Sequence, residues 1–373
     1  MRLYILVIIL FIFTLSYPAE SITVHHAPQL SENSEVDVLL FLKSGSDKAE
    51  IYIRGNGNYD IVIGKPGVVQ LYSLSLSSHF TKKQSVYLHK DTPSVFIIQA
   101  LKPGTSQILL MKGRSAKASI KVCVGVEFLL TFDDGPSLKQ TPKILDILEN
   151  PGKAIPDKNI KAVFFIKKDN ARFVGENEEN YLEILHRMNS SGHVFGFHDY
   201  GSEIAWNHKG TDHISRLSHD ASPNLQDAIR SFNMYMSNHE LQIPDYVRPP
   251  LWKHNQSVLN VYDEFDLNMI LTDIRSRDGG NPAGNILIWR RYIKMSLWKK
   301  AVNRIHSGVG EIVVTFHDTN KTTADNLRNY LSLLRTGALR AGVAPCGIRF
   351  VNETSRVKEI LASKSLIYNQ QIK

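Results

Sequence analysis

Cysteine is almost absent: Cys123 and Cys346 are the whole supply, so at most one intrachain bridge can form. A second long apolar run is missing too. After the stretch Leu3 to Leu15, broken only by Thr14, nothing approaches the ~20 apolar residues that a membrane-crossing helix needs. That excludes an integral membrane domain beyond the N-terminal segment. There is no basic block: the 44 Lys and Arg, against 36 Asp and Glu, are scattered. The densest basic stretch, Trp289 to Lys300, alternates with apolar residues at helical spacing, the pattern of a solvated helix face and not of a nucleic-acid patch. With 43% hydrophobic and 21% charged residues, the composition also carries no disorder signature.

What is present begins with the N-terminus. Arg2, the apolar run behind it and Ser16-Tyr-Pro-Ala-Glu-Ser21 have the order of a secretory signal peptide, expected over residues 1–21. The remainder is then expected to be exported, to the periplasm, the cell envelope or the medium. Export permits a Cys123–Cys346 bridge, and two buried thiols fit the sequence equally well.

Residues 22–125 read as strands throughout. Val36–Leu42, Glu50–Arg54, Val68–Leu74, Ser94–Gln99 and Ser119–Val124 are rich in β-branched residues and separated by Gly, Asn, Ser and Pro. Short strands with frequent turn signals predict a β-sandwich, here an immunoglobulin-like accessory domain. From residue 126 to 373 the period changes. Apolar runs at Glu127–Phe132, Ala162–Ile166, His193–Phe197, Tyr246–Pro249, Asp266–Thr272, Glu311–Phe316 and Gly347–Val351 mostly alternate with amphipathic helical segments. That order predicts an α/β fold, a parallel sheet or barrel, with its chemistry at the C-terminal strand ends.

Those ends are polar. The run Leu129-Leu-Thr-Phe-Asp-Asp-Gly-Pro-Ser137 closes in two adjacent carboxylates and a turn. Further strands lead into His198-Asp199, Arg248-Pro-Pro250, Thr272-Asp273 (with Asp278 five residues on) and His317-Asp318. Carboxylate and imidazole together suit Zn²⁺ or another divalent metal. Additional acids and a second histidine are what acid–base chemistry around such a metal needs.

Thr131-Phe-Asp-Asp-Gly-Pro136, Arg248-Pro-Pro250 and Phe316-His-Asp318, in this order, resemble the polysaccharide deacetylase family, carbohydrate esterase family 4, from about Val126 to Val351. The resemblance implies a distorted (β/α) barrel and metal-dependent removal of acetyl groups, N-acetyl first, from an exported glycan of peptidoglycan, chitin or poly-N-acetylglucosamine type. It implies that Asp133 is the catalytic base, Asp134 and His198 are metal ligands, and Arg248 holds and orients the base. Asp273 is implied to pair with His317 as the acid. Tyr200, Pro249 and Trp252, beside these motifs, are expected to touch substrate. The family's second metal histidine is replaced by Ser202, so His208, on the segment that follows, is the expected third ligand, with His213 next. The alternative function is a weakened deacetylase-like domain that binds glycan without turnover.

Overall fold

The computed structural model describes residues 29–30, 35–41, 48–53, 57–73, 78–80, 82–88, 94–167, 177–199, 221–252, 254–278 and 286–372. The expected signal peptide lies outside these residues. Among the described residues no helix is long and apolar enough to cross a membrane.

The N-terminal strands are β1 (Gln29–Leu30), β2 (Glu35–Phe41), β3 (Lys48–Ile53), β4 (Gly57–Ile63), β5 (Val69–Ser73), β6 (Ser78–Phe80), β7 (Lys83–Leu88), β8 (Ser94–Ala100) and β9 (Gly104–Lys112). One sheet runs β1-β3-β8-β5-β6. In β5 and β8 every second residue is buried, as the two-residue period of a half-buried strand requires. Ile51, Ile53, Leu71, Phe96 and Ile98 of this sheet share a core with Leu40, Tyr59, Ile61, Ile108 and Leu110. Two sheets therefore close over one apolar layer.

β10 (Ser115–Gly135) joins the two halves of the chain as a single strand. From Ser119 to Gly125 it pairs with β2, and from Ser115 to Val124 with β9. Beyond Gly125 it pairs instead with β11 (Ala162–Ile166), β16 (Glu311–His317) and β17 (Ile348–Phe350). The change of period at Val126 is thus a change of partners within one strand, not a linker. Cys123 on β10 is bridged to Cys346, in the turn just before β17, with Cα atoms 6.5 Å apart.

The second sheet adds β12 (Val194–Phe197), β13 (Tyr246–Val247), β14 (Asn268–Met269) and β15 (Ile274–Arg275), all parallel, in the order β15-β16-β10-β11-β12-β13-β14. The fold is α/β, as expected. Among the described residues no ladder joins β14 to β15, so the expected barrel is not closed by hydrogen bonds.

The helices are α1 (Thr141–Glu149), α2 (Glu178–Ser190), α3 (Ala221–Asn238), α4 (Gln256–Glu264), α5 (Ile286–His306), α6 (Lys321–Arg340) and α7 (Thr354–Ile372). The outer face of the sheet, with Phe128, Leu130, Phe132, Phe164 and Phe195, is covered by helix residues at three- and four-residue spacing. Tyr181, Ile184, Leu185 and Met188 of α2 are one such stripe; Leu297, Ala301 and Ile305 of α5 are another. The inner face carries Leu129, Val163, Phe165, Val194 and Val313, and its lower end is plugged by Val357, Ile360 and Leu361 of α7. Each such buried side chain is worth about 1.5–3 kcal/mol. Successive residues alternate faces, so the inner row that begins with apolar Leu129 and Val313 ends, two and four residues on, in Thr131 and Asp133, and in Thr315 and His317. The apolar plug and the polar rim are two ends of one face.

Candidate active site

Asp133 follows from that alternation. It is 2% exposed, and one carboxylate oxygen accepts a 2.6 Å bond from Nη1 of Arg248, itself fully buried. Arg248 is held in turn: Nη1 donates to Thr131 Oγ1 at 2.7 Å, Nε donates to the Ile270 carbonyl at 3.2 Å, and the guanidinium lies 4.0 Å from the Phe165 ring centre. Gly196 is required here, because a Cβ would stand 2.3 Å from that same ring. Sequence alone had no reason to pick out Thr131 or Phe165; their role rests on the register of β10 against β11.

By strand alternation Asp134 should point to the outer face. It does not, because its φ is +71° and the β10–β11 register shifts between Asp133 and Gly135. The expected redirection by Gly135 and Pro136 is therefore made one residue earlier, by a left-handed Asp134. Gly135 has a different task. Asp318 packs so close that a Cβ on residue 135 would lie 2.0 Å from its carboxylate, which also accepts a 2.7 Å bond from Thr141 at the start of α1. Burial pushes the Asp318 carboxyl up to about 7.

The left-handed turn places Asp134 between two imidazoles. Its oxygens lie 3.5 Å from His198 Nε2 and 3.9 Å from His317 Nε2. His198 Nδ1 is 2.6 Å from the Arg248 carbonyl, which can only accept, so Nδ1 carries the hydrogen and the Nε2 lone pair faces Asp134. Burial alone would raise the Asp134 pKa; the rings of His198 and His317, with Lys167, outweigh it and hold it at about 2. A separation of 3.5 Å is long for an N–H···O bond. It is close to the edge of a tetrahedron with bonds of about 2.0–2.2 Å, those of zinc to nitrogen and carboxylate oxygen. With the backbone carbonyl fixing the tautomer from behind, these two donors fit a divalent metal. Among the described residues no group of three such side chains is gathered. His208, the expected third ligand, Ser202 and Tyr200 all lie outside the described residues.

The partner of His317 is Asp278, not Asp273. His317 Nδ1 lies 2.7 Å from Asp278 Oδ1, and the His317 backbone amide donates to Oδ2 at 2.8 Å. Ser276 Oγ donates at 2.5 Å, and Thr323 of α6 also donates to this fully buried carboxylate. Burial works to raise the Asp278 pKa, but the bonds from His317, Ser276 and Thr323 leave it below its usual value. Burial also opposes the charge on His317. Asp278 first, with Asp133 and Asp134 behind it, overcomes this and pushes the imidazolium up to about 9. Asp273 accepts instead from the Val313 amide at 2.9 Å and from Lys364 of α7 at 2.9 Å. The expected pairing fails because Asp273 precedes β15 and so sits at the wrong end of that strand, whereas Asp278 follows it.

Pro249 is buried, and its carbonyl accepts from the Trp252 amide at 3.0 Å, closing a turn. Leu251 and Trp252 both have positive φ, at 55° and 63°, which turns Trp252 back toward Arg248 with ring centre and guanidinium 4.8 Å apart. Leu251 is 70% exposed at this rim.

Residues 126–270 match the family model for polysaccharide deacetylase. A 74-residue stretch is 45% identical to a peptidoglycan-N-acetylglucosamine deacetylase of Bacillus cereus, covering 20% of this chain and 22% of that protein. Over 207 residues the chain is 25% identical to the peptidoglycan-N-acetylglucosamine deacetylase PgdA of Listeria monocytogenes, covering 56% of this chain and 35% of that one. The chain thus spans 22% and 35% of the length of these curated relatives. Among solved structures, a polysaccharide deacetylase from Bacillus cereus is similar at 19% identity and a TM-score of 0.42, over 61% of this chain and 91% of that chain. Asp278 and His317 lie beyond the matched stretch, while Asp133, Asp134, His198 and Arg248 lie within it. Through that segment, residues 126–270, this chain belongs to the polysaccharide deacetylase family.

Proposed function

We propose that this protein hydrolyses acetyl groups, N-acetyl first, from an extracytoplasmic polysaccharide or oligosaccharide, with a divalent metal, zinc before others, held by Asp134 and His198. The observation that carries the reading is the placement of Asp134 between two imidazoles with different partners: His198 backed by a carbonyl, His317 by a buried carboxylate. One ring is fixed as a neutral donor to a metal; the other is fixed as a charged acid.

When bound, a divalent ion would polarise the acetyl carbonyl and make water a stronger acid. Asp133, locked in one orientation by Arg248, takes the proton from the attacking water. The tetrahedral adduct then collapses with cleavage of the C–N bond. His317, charged at neutral pH, gives its proton to the departing nitrogen, because an amine leaves poorly without one. Asp278 keeps His317 in the tautomer whose Nε2 faces the reaction. The products are acetate and an amino sugar.

The printed names of the relatives support the substrate class: peptidoglycan N-acetylglucosamine for the Bacillus and Listeria proteins, and chitin for a Colletotrichum lindemuthianum enzyme 28% identical over 123 residues. Glycans of these types, or of the poly-N-acetylglucosamine type, are the proposed partners. The Cys123–Cys346 bridge is compatible with action outside the cytoplasm. The test is acetate release from a panel of N- and O-acetylated glycans, with metal content measured in the same preparation. Release from N-acetylglucosamine polymers together with bound metal supports the reading. Retention of glycan without acetate release from any member would make this a binding domain instead.

A further inference from the structure

Beside the site, on one side only, positive charge is gathered without carboxylates to match it. Arg275, at the end of β15, is exposed, and its guanidinium lies 4.5 Å from the centre of the Trp252 ring. Among the described residues no ion pair or hydrogen bond engages that guanidinium; its stack on Trp252 is its contact. Lys300 of α5 approaches from behind and donates to the Arg275 carbonyl at 2.6 Å. Arg277, two residues on, is exposed as well and has φ of +63°, a conformation L side chains rarely adopt. Burial lowers Lys300 from the usual lysine value, and Arg277 and Arg275 lower it further, so three cations crowd one another here.

This cluster is tied to the catalytic groups at two points. Trp252 carries Arg275 within one aromatic ring of Arg248, the partner of Asp133. Arg277 is the residue between Ser276 and Asp278, which hold His317. A backbone outlier held in place beside a reacting centre points to use there, and two of them, Trp252 and Arg277, flank Arg275. Like charges held close with no acid among them are the arrangement that receives an anion, and a stacked guanidinium presents its donors edge-on to carboxylate or phosphate.

We propose that Arg275, Arg277 and Lys300 form a subsite for an anionic substituent, carboxylate or phosphate ester, on the sugar next to the one that is deacetylated. The proposal rests on the deacetylase reading above and narrows it from acetylated glycans in general to acidic ones. Trp252 then contributes to substrate choice as the platform that sets Arg275 in place.

The experiment compares an N-acetylglucosamine tetramer with the same tetramer bearing a carboxylate and with one bearing a phosphate ester. Binding is measured by calorimetry to the full-length Asp133→Asn protein, so that turnover does not consume the ligand. At low ionic strength at least one anionic tetramer should bind about fivefold tighter than the neutral one, the scale of an exposed charge pair. The arm with the larger gain names the substituent. Near 1 M salt, where the screening length is about 3 Å, the gain should vanish. Arg275→Gln combined with Arg277→Gln should bring the affinity ratio close to one. Equal binding of all three tetramers at low salt overturns the proposal, as does a gain that survives both salt and the double substitution. Should the double variant fail to fold, the salt series on the parent protein decides alone. A protein that releases no acetate yet prefers an anionic tetramer would refute the deacetylase reading and keep this subsite.

Discussion

His317 Nδ1 and Asp278 Oδ1 lie 2.7 Å apart, in a buried junction where Ser276 and Thr323 hold the same carboxylate from other sides. This pairing decides which aspartate after β14 serves the reaction. Asp278→Asn should lower kcat by about 10²–10⁴-fold, the range for losing or mis-orienting a general acid. It should also move the alkaline limb of the kcat profile to lower pH, because the first support for the His317 charge is gone. Asp273→Asn should leave kcat within about twofold and lower stability by about 1 kcal/mol, since its partners are the Val313 amide and Lys364. Equal kinetic loss in both variants would overturn the assignment.

The raised His317 pKa has a consequence for stability. The folded protein keeps its proton up to about 9, while an unfolded chain releases it near the ordinary value of 6.5. Between these values the folded state binds more protons, so stability falls as pH rises. The contribution is complete below about pH 6.5 and lost through about pH 9. Melting temperatures of the metal-free protein across that window should decline more steeply than those of His317→Gln. Parallel curves would contradict the shift.

Metal content separates Asp134 from Asp133. Asp134→Ala and His198→Ala should each lose most bound zinc, while Asp133→Asn, whose partner is Arg248, should keep it. Our reading of the segment between His198 and α3 places the third ligand at His208. His208→Ala should weaken zinc binding by at least about tenfold. If that variant binds zinc normally and His213→Ala does not, the ligand is His213; normal binding in both rules out a ligand from that segment.

The halves of the chain share β10 and a bridge. Removing Cys123 and Cys346 should cost roughly 2–5 kcal/mol, because the bridge closes a separation of 223 residues. A chain starting at Val126 keeps every β10 pairing with β11, β16 and β17 and should still fold, with a lower melting temperature and acetate release intact. An insoluble product would show that the sandwich is needed for the catalytic half to fold.

How far the sequence foretold this arrangement depended on burial. Ala162–Ile166 is buried at every position, so its apolar run is continuous and its limits were read to the residue. β15 has two residues and α7 exposes much of its length, so neither left a periodic signal. The run Asp266–Thr272 read as one strand, but the chain makes two short ones, β14 and β15, with Asp273 in the gap between them. That break, invisible in residue types, misassigned the partner of His317. Asp133, Asp134, His198, Arg248 and His317 were legible because strand ends in a parallel sheet converge on one rim. Trp252 was legible as a rim residue, but its stack on Arg248 and Arg275 depends on two left-handed residues that the sequence does not announce.

Acetate released from an N-acetylglucosamine tetramer by the intact protein and by Asp133→Asn, with metal content measured in both, tests the central claim most directly. The account predicts release by the intact protein and a loss of at least about 10²-fold in the variant at unchanged metal content. Undiminished release by Asp133→Asn, or no release by the metal-loaded intact protein from this tetramer or from its acidic counterparts, would contradict it.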